Sequence, residues 1–207
     1  MRVRIAAVIA FCLASILAAA VILPSLSEFG PHAAPAANSG PVGMFEAHND
    51  VGKVLHPGNT DYDATAKTYT ITGSGNNMWM TEDDFQFAWK KMSGDVSITA
   101  NISFYGLGGN AHRKGVLMIR QSLDADSVYV DAALHGNGLT ALQYREEKGT
   151  NTKDIESNDF STQRMRLEKR GDFFYLYLGG GSSDLHPAGA SIRLPIHAAE
   201  RSRTQPK

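Results

Sequence analysis

The sequence predicts an all-β protein, an antiparallel two-sheet jelly-roll sandwich, over residues 42–196. Three observations predict it. Short alternating or apolar runs recur from Val42 onward, clusters of Gly, Asn and Asp separate them, and no long helical periodicity interrupts them. Strands at this spacing, numbering eight or nine, are the pattern of a sandwich or jelly roll.

The elements follow in order. An N-terminal Arg2 and Arg4 precede an apolar run at 5–23, broken only by Cys12 and Ser15. This is the layout of an export signal. At 19 residues the run is also long enough to span a bilayer as an uncleaved anchor. Segment 1–23 is therefore expected to be a signal peptide or a membrane anchor, and the rest of the chain is expected outside the cytoplasm, periplasmic or secreted. Membrane contact is expected through this segment alone. Residues 24–41 are rich in Pro, Ala, Ser and Gly and read as a flexible linker. The strand candidates are TYTITG, DDFQFAWKKMSGD, VSITANISFYG, GVLMIRQS, SVYVDAALHG, LTALQYREE, QRMRLEKRG and DFFYLYLG. Turn signals such as Gly136-Asn137-Gly138 and Gly171-Asp172 lie between them. Residues 197–207 are a polar tail.

The chain has 207 residues and a net charge of -1, which suits one domain and gives no basic surface for nucleic acid. Its single cysteine, Cys12, lies in the export segment. Beyond that segment no disulfide, thiolate nucleophile or cysteine zinc site can form.

Phe85, Phe87 and Trp89 form an aromatic stripe on one side of a strand, with Gln86, Ala88 and Lys90 on the other. Such a stripe either faces the core or offers a stacking platform for a sugar ring; its continuity favours the core. In the later strands Leu117, Val130, Ala132, Leu142, Met165 and Leu167 share the inner phase of the alternation. The outer phase carries Arg120, Tyr129, Asp131, His135, Gln143, Arg145 and Arg166. Guanidinium forks, amides and carboxylates beside an aromatic ring suit a ligand rich in hydroxyls. The same pattern also describes a solvated sheet face with cross-strand charge pairs.

Catalytic signatures are weak. No strand carries the carboxylate spacing of a sandwich glycosidase, and Glu146-Glu147 point to opposite faces. Asp131 and Glu168 are the one pair that could meet across a concave face, and a retaining pair must come within about 5 Å. No HExxH or G-x-S-x-G occurs. No catalytic residue and no cofactor is assigned. Calcium could be taken by Asp83-Asp84, Asp61 and Asp63, or Asp124 and Asp126, although aspartates in turns serve turn geometry first.

The pieces SGNNMW, DDFQFAWKKMSGD, KGVLMIRQS, DAALHG, LQYR and RLEKRGDFFYLY together resemble the concanavalin A-like (laminin-G-like) jelly-roll domain. Such domains occur as the C-terminal β-sandwich of family 43 glycoside hydrolases and in Tol-biopolymer-transport-like exported bacterial proteins. The resemblance covers about 44–194. It implies a concave sheet face associated with carbohydrate binding or with completing a neighbouring catalytic site. Arg120 and His135 stand at the matched polar positions, Gln143 and Arg145 next to them, and Trp79 at the rim. The resemblance also implies further strands after ASIRLPI, where this sequence is polar. The expected fold thus lacks its last strand or strands, and a protein partner could complete the sheet. The expected function is a non-catalytic carbohydrate-binding module, with a protein-docking accessory domain or a glycan-acting hydrolase as the alternatives.

Overall fold

A computed structural model describes residues 40–106, 109–180 and 184–196, together with the backbone of Arg4–Ala10. Every regular element among them is a strand. In chain order these are β1 (Arg4–Ala10), β2 (Ala47–Val51), β3 (Asn59–Asp63), β4 (Thr68–Gly73), β5 (Met78–Trp79), β6 (Glu82–Asp83), β7 (Phe85–Trp89), β8 (Val96–Asn101), β9 (Lys114–Arg120), β10 (Tyr129–His135), β11 (Thr140–Arg145), β12 (Lys153–Glu156), β13 (Arg164–Arg170), β14 (Phe173–Gly179) and β15 (His186–Arg193). The apolar run expected to direct export contributes β1, which lies parallel to β4. The expected linker and the polar tail fall almost wholly outside the described residues. No helix among the described residues is long and apolar enough to cross a membrane.

Two four-stranded antiparallel sheets dominate. The first has the order β12-β11-β10-β9 and the second β15-β14-β13-β8. Period-two alternation decides which side of each strand is apolar, and the two apolar sides share one core. Leu117, Val130, Ala132 and Leu142 enter it from the first sheet, and Ala100, Met165, Leu167, Phe174 and Leu176 from the second. The β10–β11 hairpin turns where Gly138 adopts φ 91°, and the β13–β14 hairpin where Gly171 adopts φ 55°. Both are left-handed conformations that a Cβ disfavours, which is why the Gly-containing turn signals lie there. β3–β4, β2–β7 and the short β5–β6 form three further antiparallel pairs.

β7 corrects the expected placement of the aromatic stripe. The side of β7 that reaches the main core carries Ala88. On the same side Gln86 is buried, with its amide nitrogen 2.9 Å from His48 Nδ1 and 3.3 Å from Thr60 Oγ1. The stripe is on the other side. Phe85 and Phe87 join a second apolar cluster with Val51, Met78, Met118 and Tyr129, outside the main core. Trp89 is half-buried and donates from its indole N–H to Asn49 Oδ1 at 2.6 Å. Both faces of β7 are covered, so alternation alone does not tell which is the main core.

Candidate functional site

The site is built from the outer face of the first sheet. Register places Arg120, Tyr129 and Arg145 side by side in one row. Met118, Asp131 and Gln143 form the next row, and Val116, Ala133 and Ala141 the third. Lys114 lies opposite His135 in the last. Six of the seven residues expected to contact ligand are therefore on one continuous face, and Trp79 lies over it with the Lys114 ammonium 5.0 Å from its ring centroid. Arg166 belongs to β13 and looks outward from the second sheet, on the far side of the molecule. Alternation gives a residue's side of a sheet but not which sheet it is in.

This face is not open along its length. The β5–β6 hairpin covers it, with Asp83 and Met80 over the Arg145 end and Met78 and Trp79 over Lys114. Asp83 is fully buried, and Arg145 donates to both its oxygens, at 2.9 and 2.7 Å. Arg120 Nη2 stands 3.4 Å from the same carboxylate. Burial pushes the Asp83 carboxyl upward, and the two guanidiniums pull it back. Arg120 also donates to the carbonyls of Ser122 and Asp124 and lies over the Phe85 ring. The Tyr129 hydroxyl is 2.9 Å from Thr152 Oγ1, and burial raises its pKa. Lys114 reaches along the face and donates to the Met78 carbonyl at 3.0 Å. Three cations thus tie the cover to the sheet. Arg120, Tyr129 and Arg145 are framework rather than open ligand contacts.

Between them is a polar layer with unmet hydrogen-bonding capacity. Among the described residues neither oxygen of Asp131 has a hydrogen-bond partner, and nor do Gln143 Oε1 and His135 Nδ1. Burial pushes the Asp131 carboxyl up to about 8, so it is a neutral acid at neutral pH. Burial, followed by the charges of Lys114 and His112, lowers His135 to about 4, leaving a neutral imidazole. Gln143 Nε2 lies 3.4 Å from His135 Nε2.

The Lys114 end of the face, itself buried, borders the surface. A shallow pocket there is lined by Asn76, Asn77, Asp84, Asn110, His112 and Arg113, with Lys114 and Met78 as its floor. His112 is exposed, and its ring is edge-on to His135 at 5.8 Å between centroids. Lys114 is buried, because its ammonium finds a carbonyl and an indole face inside. Asp83 was missed as the residue that closes the face; the sequence signal was the Asp83-Asp84 pair just before the stripe.

Gly75 holds the cover close. A Cβ there would collide with the Asp84 carbonyl and its neighbouring peptide. Gly75→Ala is expected to destabilise the fold by about 1–3 kcal/mol through this overlap, read as a lower urea midpoint; an unchanged midpoint would show that the cover yields freely.

Asp131 and Glu168 cannot act as a pair. They look outward from opposite sheets, with the shared core between them, and Glu168 accepts from Arg170 at 2.7 Å. Among the described residues no three His, Cys, Asp or Glu side chains gather to hold a metal. Of the aspartates weighed for calcium, Asp83 is bound by Arg145, Asp63 accepts from the amides of Thr65 and Ala66, and Asp124 pairs with Lys148 at 2.7 Å.

The sequence matches no protein-family model. No curated protein and no solved structure shows significant similarity to it.

Proposed function

We propose that the chain is a non-catalytic, exported jelly-roll module that binds carbohydrate at the pocket beside the Lys114 end of the first sheet's outer face. One observation carries the reading: amide and imidazole groups line this mouth, and the His112 ring there is 5.8 Å from the His135 ring, whose Nδ1–H has no partner among the described residues, as Gln143 Oε1 has none. Hydroxyl groups both donate and accept, so a hydroxyl-rich ligand suits such a mixed set better than an apolar or purely anionic one. The resemblance of the strand motifs to concanavalin A-like domains supports the same reading.

The test is a thermal melt of the full-length chain with a panel of neutral oligosaccharides. Binding to the native state stabilises it by about 2.7 kcal/mol at roughly 100 times Kd. One glycan class is expected to raise Tm, and His112→Ala to remove the shift while leaving the ligand-free Tm in place. No shift with any glycan contradicts the reading.

A protein partner is the second reading. β15 ends its sheet, and among the described residues β14 is its only neighbour. Such an edge is a template for strand addition. A folded monomer that captures nothing in pull-downs argues against it.

A further inference from the structure

The second sheet has an outward face of different character. Register sets Thr99, Arg166 and Tyr177 in one row, and Ser97, Glu168 and Tyr175 in the next. Arg170, Phe173 and Arg193 form a third. All look away from the core that Met165, Leu167 and Leu176 enter. Arg166 lies over the Tyr177 ring and Arg170 over the Tyr175 ring, each with its guanidinium carbon 5.6 Å from the centroid. Both are held through Nε, Arg166 by Thr99 Oγ1 at 3.0 Å and Arg170 by Glu168 Oε1 at 2.7 Å. Among the described residues no other hydrogen bond engages either guanidinium, so the Nη edges stay available.

We propose that this face binds a carboxylate-bearing polysaccharide, a polyuronate, independently of the mouth on the first sheet. Charge favours it. The outward positions of β13, β14 and β15 carry Arg164, Arg166, Arg170 and Arg193 against the single carboxylate of Glu168, on a chain whose net charge is -1. Asp172, in the turn, answers Arg193 at 3.2 Å. A guanidinium already oriented by its ring and its Nε bond presents a two-pronged donor that matches a carboxylate and loses little freedom on binding. Arg166 and Arg170 are four residues apart along one strand, ~13 Å at 3.3 Å per residue, so that two non-adjacent acidic groups of one extended chain can engage both. Aromatic faces beside them suit the C–H faces of pyranose rings. The face lacks the apolar centre of a protein interface, since among the described residues Phe173 is its only exposed large hydrophobic side chain.

Affinity electrophoresis of the full-length chain through polygalacturonate, dextran or single-stranded DNA tests the proposal. Polygalacturonate is expected to retard the protein, less so as salt rises. Arg166→Ala with Arg170→Ala is expected to weaken retardation at least tenfold, while His112→Ala leaves it unchanged. If the alanine pair lowers Tm, Arg166→Lys with Arg170→Lys keeps the charge and removes the fork, and is expected to weaken retardation as well. No retardation at low salt overturns the proposal. So does retardation that survives both pairs, or equal retardation by dextran or DNA.

Discussion

Arg145→Ala is expected to destabilise the protein by about 3–5 kcal/mol. The guanidinium is fully buried and makes two hydrogen bonds to the equally buried Asp83 carboxylate. It also donates to the carbonyls of Thr150, Ser127 and Met80 at 2.9, 3.1 and 3.1 Å. Alanine would leave the Asp83 charge with Arg120 alone and three carbonyls short of a donor. The Tyr129 ring, 5.0 Å beneath the guanidinium carbon, would lose its cover too. Arg145→Lys should rescue little, because an ammonium cannot reproduce a planar fork that serves both oxygens and the carbonyls at once. Urea unfolding gives the measurement. A loss below about 1 kcal/mol, the range of an exposed pair, would mean that the ion pair does not hold the cover down.

Asp131→Asn is expected to change how stability depends on pH. The Asp131 carboxyl lies at about 8 in the folded protein against an ordinary value of 3.8. Between those values the folded state keeps a proton that the unfolded chain has released, so this group's contribution falls as pH rises through the window. His135 runs the other way. Its folded value is about 4 against an ordinary 6.5, so the unfolded chain holds the extra proton between them and stability rises with pH there. The two oppose each other up to about 6.5, and from there to about 8 the Asp131 fall stands without it. Burial also lowers the Lys114 ammonium, and that group adds a rise on the alkaline side, below 10.5. The difference between wild type and Asp131→Asn removes the His135 contribution and leaves the carboxyl together with its pull on the Lys114 ammonium. The variant should gain on wild type progressively across the window and be more stable above it by about 1–4 kcal/mol. Parallel urea midpoints at pH 6.5 and 8.5 would show that Asp131 is not held as a buried neutral acid.

Much of this arrangement was legible in the sequence. Alternation in SVYVDAALHG separates Val130, Ala132 and Leu134 from Tyr129, Asp131 and His135, and the structure keeps that division. Cross-strand rows then follow from hairpin register, which brings Arg120, Tyr129 and Arg145 together. Three things were not legible, each for a physical reason. β5 and β6 are two residues long, too short for any period to show, yet they close the face. The Asp83–Arg145 pair joins residues 62 apart, a contact that only tertiary structure makes. β7 is covered on both sides, so its greasy stripe and its polar-looking Gln86 side are both inside, and hydrophobicity names the wrong one as the main core.

The most direct measurement is a two-dimensional amide NMR titration of the full-length chain with the oligosaccharide that raises Tm most. The central claim is that the first sheet's polar face is closed at Arg145 and binds at its Lys114 end. Amides of Asn77, Asn110 and His112 are expected to shift, with those of Tyr129 and Arg145 unmoved. Shifts concentrated on the Arg120, Tyr129 and Arg145 row, with His112 silent, would contradict it.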